Sequence, residues 1–124
     1  MDSGMIDKFR DDRIALNELV MKYAGKNIKR LFAIDQQVYS EGALPAKTKE
    51  LLGLVASLVL RCDDCILYHI MKCEEEGVTT EELEETMAIG VAVGGSITIP
   101  HLRRAIKAWD ERKQNKKDKP QQTS

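Results

Sequence analysis

Residues 50–69 read ELLGLVASLVLRCDDCILYH. Leu51, Leu52, Leu54, Val55, Leu58 and Val59 make the first part apolar over most of a helical circumference, which predicts a central, buried helix with Pro45 near its start. A further helix begins around Cys62 or Asp63 and ends at Gly77. Glu50 and His69 are symmetric about Val59 and Leu60, so an antiparallel helix pair turning there brings the carboxylate level with the imidazole. No glycine or proline marks that turn.

Outward from this pair the apolar positions still recur at three and four residues, and no alternating run is bounded by hairpin turns, so the fold class is all-α. Asp7 to Tyr23 forms the first helix, with Ile14, Leu19 and Tyr23 as an apolar stripe and Gly25 as its stop. Asn27 caps a second helix running to about Tyr39, and Gly42 ends that segment. Thr79 with Glu82 three residues later is a capping box for a helix closed by Gly94 and Gly95. Ser96 to Pro100 is a short connector, and a last helix runs from about His101 through Trp109. From Lys113 the run KQNKKDKPQQTS is too polar to bury the surface that ordering requires, so the division is one domain over 1–112 and a polar disordered tail over 113–124.

With 124 residues and 43% hydrophobic content, the chain fits one domain and has no room for separate catalytic and cofactor lobes. Nineteen basic against 20 acidic residues give a formal charge of -1, so no basic footprint for nucleic acid or an anionic membrane is present. The charged opening is unlike a signal peptide and no apolar stretch is long enough to span a bilayer, so a cytoplasmic location is expected. The close glycines Gly90, Gly94 and Gly95 do not open a phosphate loop. No flavin, haem or nucleotide cofactor is expected.

In a reducing compartment, Cys62 and Cys65 read as a redox or metal pair rather than a permanent staple. Three positions apart on a helix, their Cα atoms fall roughly 5 to 6 Å from each other, within disulfide reach. Near a helix N-terminus the free amides and the dipole favour a thiolate, and His69 leans back toward Cys65 because helical side chains tilt N-terminally. Cys65 is thus the expected nucleophile, with Glu50 fixing the His69 tautomer. Zinc is the competing reading of Cys62, Cys65, His69 and Cys73. Those residues span a rise of about 16 Å, whereas ligand atoms sit only about 2.0 to 2.3 Å from the metal, so one straight helix cannot supply all four.

The same residues also form a stripe that core packing would explain, and Cys73 is expected to be structural. His101 is expected to cap or pack. The run of glutamates at 74–76, 81, 82, 84 and 85 reads as a solvated acidic face, and Trp109, Phe9 and Phe32 as packing anchors.

The full E-x11-C-x2-C-x3-H pattern, the apolar helix before it and the later stretch MAIGVAVGGSITIPHLRRAI resemble the AhpD-like alkylhydroperoxidases of the carboxymuconolactone decarboxylase superfamily, over about Leu44 to Trp109. The resemblance implies an oligomeric all-α fold in which Cys65 reduces a hydroperoxide, Cys62 resolves the sulfenic acid to a disulfide, and His69 with Glu50 relays protons. A dithiol reductant is implied as partner, lipoyl-bearing, thioredoxin-like or a peroxiredoxin. The best-known members carry a histidine directly before the second cysteine, where this chain has Asp64 beside Asp63. Two carboxylates there oppose a thiolate, which points to a slower peroxidase or a dithiol-disulfide exchanger. The decarboxylase branch lacks the cysteine pair and ranks low. A non-catalytic oligomeric binding module stays open. The third helix and Met87 to Val93 offer more apolar surface than a small monomer buries, and with the resemblance this favours a hexamer over a trimer.

Overall fold

The structure is a computed structural model and describes residues 4–118. Six α-helices follow one another: α1 Met5–Tyr23, α2 Lys26–Val38, α3 Ala46–Leu60, α4 Asp63–Glu75, α5 Thr80–Gly94 and α6 Ile99–Asp118, with a single 3-10 turn at Ser96–Thr98 before α6. Among the described residues there is no strand, as the uninterrupted helical periodicity requires.

α3 lies at the centre, packed on α4 and α5, while α4 also meets α1 and α6. Its start is set by Pro45 as N-cap, and its end by Arg61 in the left-handed region at φ 59° and ψ 39°. There the chain reverses without glycine, because the Arg61 and Cys62 amides still donate to Leu58 and Ser57 carbonyls and close the helix end. α3 and α4 therefore run antiparallel, with the turn at Arg61 and Cys62.

Only one face of α3 is buried. Leu54 and Leu58 are fully enclosed against Ile66 and Ile70 of α4 and Leu83 and Met87 of α5, whereas Leu52 and Leu60 face outward. Each enclosed Leu or Ile contributes about 1.5–3 kcal/mol relative to exposure. Gly90 lets α5 approach closely, since a Cβ there would sit 2.7 Å from Leu58 Cδ2. The capping box forms in full: the Thr79 amide donates to Glu82 Oε1 at 2.8 Å and the Glu82 amide to Thr79 Oγ1 at 3.1 Å.

Several boundaries differ from the sequence reading. α1 starts at Met5 rather than Asp7, because Ile6 is part of the core. Gly25 serves as the N-cap of α2, which places Asn27 inside that helix. α6 begins at Ile99 and continues to Asp118, beyond both Trp109 and the expected break at Lys113. Two contacts hold the extension: the Lys113 ammonium lies 4.5 Å from the centre of the Trp109 ring, and Arg112 ties α6 to α4 and α1. The part of the expected tail from 119 to 124 lies outside the described residues.

Burial revises other expectations. Glu74 is buried rather than solvated, accepting from Arg112 Nε and Nη2, and Glu82 is occupied by its cap and by Lys47. Trp109 is a packing anchor whose indole N–H donates to Thr80 at 3.0 Å, but Phe32 is 38% exposed. No residue of α2 is buried, and Ile28, Leu31, Ile34 and Val38 are exposed with it. Among the described residues no helix is long and apolar enough to cross a membrane.

Candidate functional site

The α3–α4 hairpin positions the sequence-derived residues. Cys62 is the N-cap of α4 with extended dihedrals, and its sulfur accepts the Cys65 amide proton at 3.3 Å, a place more often taken by Ser, Thr or Asp. Cys65 follows in the first turn, where free amides and the dipole favour negative sulfur. The Cα atoms stand 5.3 Å apart and the two sulfurs are joined as a disulfide. Cys62 is half-buried and Cys65 exposed.

Two turns into α4, His69 is 6% exposed and Glu50 of α3 is 4% exposed. Their contact, His69 Nδ1 to Glu50 Oε1, measures 2.9 Å. A carboxylate accepts only, so Nδ1 carries the proton it donates, and Nε2 of the neutral ring is left as acceptor. Tyr39, just past the end of α2, sets its hydroxyl 3.3 Å from that Nε2. Room for the imidazole comes from Gly53: a Cβ there would lie 2.5 Å from His69 Cε1 and 2.8 Å from Nε2. Ser57, one turn on, donates to the Gly53 carbonyl at 2.7 Å.

Cys65 and His69 open onto a cavity of about 650 Å³ between α1, α3, α4 and the end of α2. Its apolar wall includes Phe9, Leu16 and Leu60, and its polar wall Arg13, Tyr39 and Tyr68. Arg13 stacks its guanidinium on Tyr68, 4.3 Å from the ring centre.

Asp63 and Asp64 differ in surroundings. Asp64 lies on the cavity wall. Asp63 turns away to α6, meeting His101 Nδ1 at 2.7 Å and accepting from Arg104 Nε at 3.0 Å. Partial burial works to raise the Asp63 carboxyl, but the bonds from His101 and Arg104 outweigh it and hold the group below the usual carboxylate value. One of the two charges set against the thiols is thus matched by a cation. Cys73, by contrast, is sealed in the core, and burial pushes its thiol up to about 12, which leaves it unreactive at neutral pH.

Three features went unread in the sequence. Tyr39 lies 30 residues from His69 and carries no motif. The partners of Asp63 lie 38 and 41 residues away, and the sequence around His101 suggests only capping or packing. Gly53 did leave a signal, because a lone glycine inside an apolar helix costs about 1 kcal/mol against alanine and asks for a packing reason.

The description of the carboxymuconolactone decarboxylase family matches residues 27–108. The chain is 52% identical to a Thermotoga maritima protein of that family, suggested to take part in an antioxidative response. That match covers 90% of this chain and 94% of the other at a TM-score of 0.84. A Legionella pneumophila member is 25% identical over 86% of this chain and 95% of its own, with a TM-score of 0.78. An uncharacterised protein of Cupriavidus necator is 33% identical over 70 residues, which is 56% of this chain and 62% of that relative's length.

Proposed function

The chain belongs to the carboxymuconolactone decarboxylase family, and on that premise we propose that it is a thiol-dependent peroxidase that reduces hydroperoxides through Cys65 and Cys62 in antioxidant defence. The carrying observation is one cavity lined by both Cys65 and His69, with His69 gripped by Glu50. Cys65 attacks the terminal peroxide oxygen, forming a sulfenic acid and releasing an alcohol. Cys62 displaces water from it to give the disulfide, and an external dithiol restores both thiols. Glu50 orients His69 through Nδ1, which leaves Nε2 to take and return a proton.

The test is hydroperoxide consumption with a dithiol reductant, with thiols counted before and after oxidation. Steady consumption and the loss of two thiols per chain are expected. Reversible loss of two thiols without consumption would establish dithiol-disulfide exchange instead, a reading favoured by the exposure of Cys65. Inert thiols would leave a binding module.

Gly53→Ala probes the site without touching a reacting group. The added methyl must displace the His69 ring, and a misplacement of about 1 Å costs roughly 10²-fold in rate. Turnover is expected to fall by that order while far-ultraviolet circular dichroism stays helical. Wild-type turnover in this variant would show that the seat of His69 does not matter.

The exposed apolar side chains of α2, with Ile89 and Val93 of α5 and Ile97 after it, belong under subunit contacts in this proposal. Light scattering is expected to give a symmetric oligomer, a hexamer rather than a trimer. A mass of one chain would exclude it.

A further inference from the structure

Both nitrogens of His69 are engaged: Nδ1 by Glu50 at 2.9 Å and Nε2 by the Tyr39 hydroxyl at 3.3 Å. The ring is nearly sealed, whereas Tyr39 is half-buried and Cys65 exposed, and all three line the same cavity. Nε2 is the nitrogen that Glu50 leaves free, and its hydrogen-bond partner is the Tyr39 oxygen, so a proton reaching or leaving Nε2 along that bond passes through Tyr39. We propose that Tyr39 is the proton-relaying residue that connects His69 to Cys65 and to the leaving oxygen of the hydroperoxide. The inference rests on the peroxidase reading and adds a member that the Cys-x-x-Cys motif does not contain.

In the activating step the Cys65 thiol gives its proton to the Tyr39 oxygen as the phenolic proton passes to Nε2. The products are a thiolate, a neutral tyrosine and an imidazolium held by Glu50. In the oxidation step the sulfur donates an electron pair to the terminal peroxide oxygen, so the S–O bond forms as the O–O bond breaks. The departing alkoxide takes a proton from Tyr39, and Nε2 replaces it. The sum is thiol plus hydroperoxide giving sulfenic acid plus alcohol, with no proton drawn from elsewhere. Burial, and then the neighbouring carboxylates of Asp35 and Glu50, push the phenol above its ordinary value. Tyr39 thus keeps its proton at neutral pH and enters each step as a donor.

Three proteins are compared in turnover, namely wild type, Tyr39→Phe and the chain with 3,5-difluorotyrosine at position 39, and the first two are compared again in a Cys62→Ser background. Phenylalanine keeps the ring and removes the relay, so kcat for hydroperoxide is expected to fall roughly 10²-fold with KM little changed. In a Cys62→Ser background, alkylation of Cys65 at neutral pH is expected to slow about tenfold, because the thiolate fraction drops. Difluorotyrosine restores the hydroxyl with a more acidic proton. It is expected to recover turnover at low pH and to bring the alkaline limb of the profile to lower pH, which a packing role would not do. The other titratable or charged groups facing the cavity, Asp12 and Arg13 of α1, Asp35 of α2, and Asp64 and Tyr68 of α4, together with Glu50 of α3 behind His69, are common to all three proteins.

Full kcat in Tyr39→Phe beside an active wild type would overturn the relay and leave the peroxidase reading standing. An inactive wild type would overturn that reading instead. The alkylation rates then still judge Tyr39: a tenfold slowing supports the relay and equal rates refute it.

Discussion

Cys65→Ser is expected to bring hydroperoxide turnover to background, a loss of at least about a thousandfold, while leaving the helical fold intact. The size of the effect follows from the chemistry. A serine hydroxyl is scarcely ionised at neutral pH and its oxygen is a poor nucleophile toward a peroxide O–O bond, so the helix dipole and His69 have no sulfur anion to stabilise. Fold retention follows from exposure: the Cys65 side chain is not part of the core, and its backbone amide still has the Cys62 sulfur as partner.

Cys62→Ser is expected to behave differently in the same assay. With peroxide added before any dithiol, the first alcohol is released in one equivalent per chain, after which the sulfenic acid on Cys65 persists and can be trapped with a dimedone-type reagent. Serine is a good N-cap, so α4 keeps its start and a loss of steady turnover cannot be assigned to unfolding. The converse result, with Cys65→Ser trapping a sulfenic acid on Cys62, would exchange the two roles. Full wild-type turnover in both single variants would mean that neither sulfur is required.

The difference in what could be read beforehand has a physical basis. Glu50 and His69 do meet, as an antiparallel helix pair implies, but the turn falls at Arg61 and Cys62 rather than at Val59 and Leu60, so their separation foretells the pairing of the two helices and not its exact register. The turn between them was less legible. Arg61 takes a conformation usually left to glycine, and the amide bonds that make this tolerable depend on the fold rather than on residue type. Tyr39 shows the other limit: it reaches His69 by way of a helix whose own side chains are all exposed, so periodicity carried no information about where that helix ends in space. Asp63 was read as a charge against the thiols because its neutralising partners belong to α6. Glutamates 74 to 76 looked alike in sequence, yet Glu74 falls one turn after Ile70 on the buried face of α4 and needs a cation there.

That cation is Arg112, and Arg112→Met is expected to destabilise the fold by about 3 kcal/mol, a large share of the roughly 5–15 kcal/mol available to a small domain. Its guanidinium bridges three helices. Nε and Nη2 donate to the Glu74 carboxylate at 2.9 to 3.1 Å, and Nη1 donates to Asp7 at 2.7 Å, which closes α6 over α4 and α1. Methionine fills similar space but leaves a carboxylate, 4% exposed at its side chain, without its partner, and an unpaired buried charge costs far more than the pair gains. The paired variant Arg112→Met with Glu74→Met separates the two effects. With both charges gone and the volume filled, most of the loss is expected to be recovered in urea unfolding, because a buried ion pair contributes little beyond what apolar packing supplies. If the double variant were as unstable as the single one, geometry rather than charge would be the function of Arg112. An unchanged midpoint in Arg112→Met alone would mean that α6 beyond Trp109 adds nothing to the fold, and the sequence reading of a polar tail from Lys113 would then describe the molecule better than the long helix does.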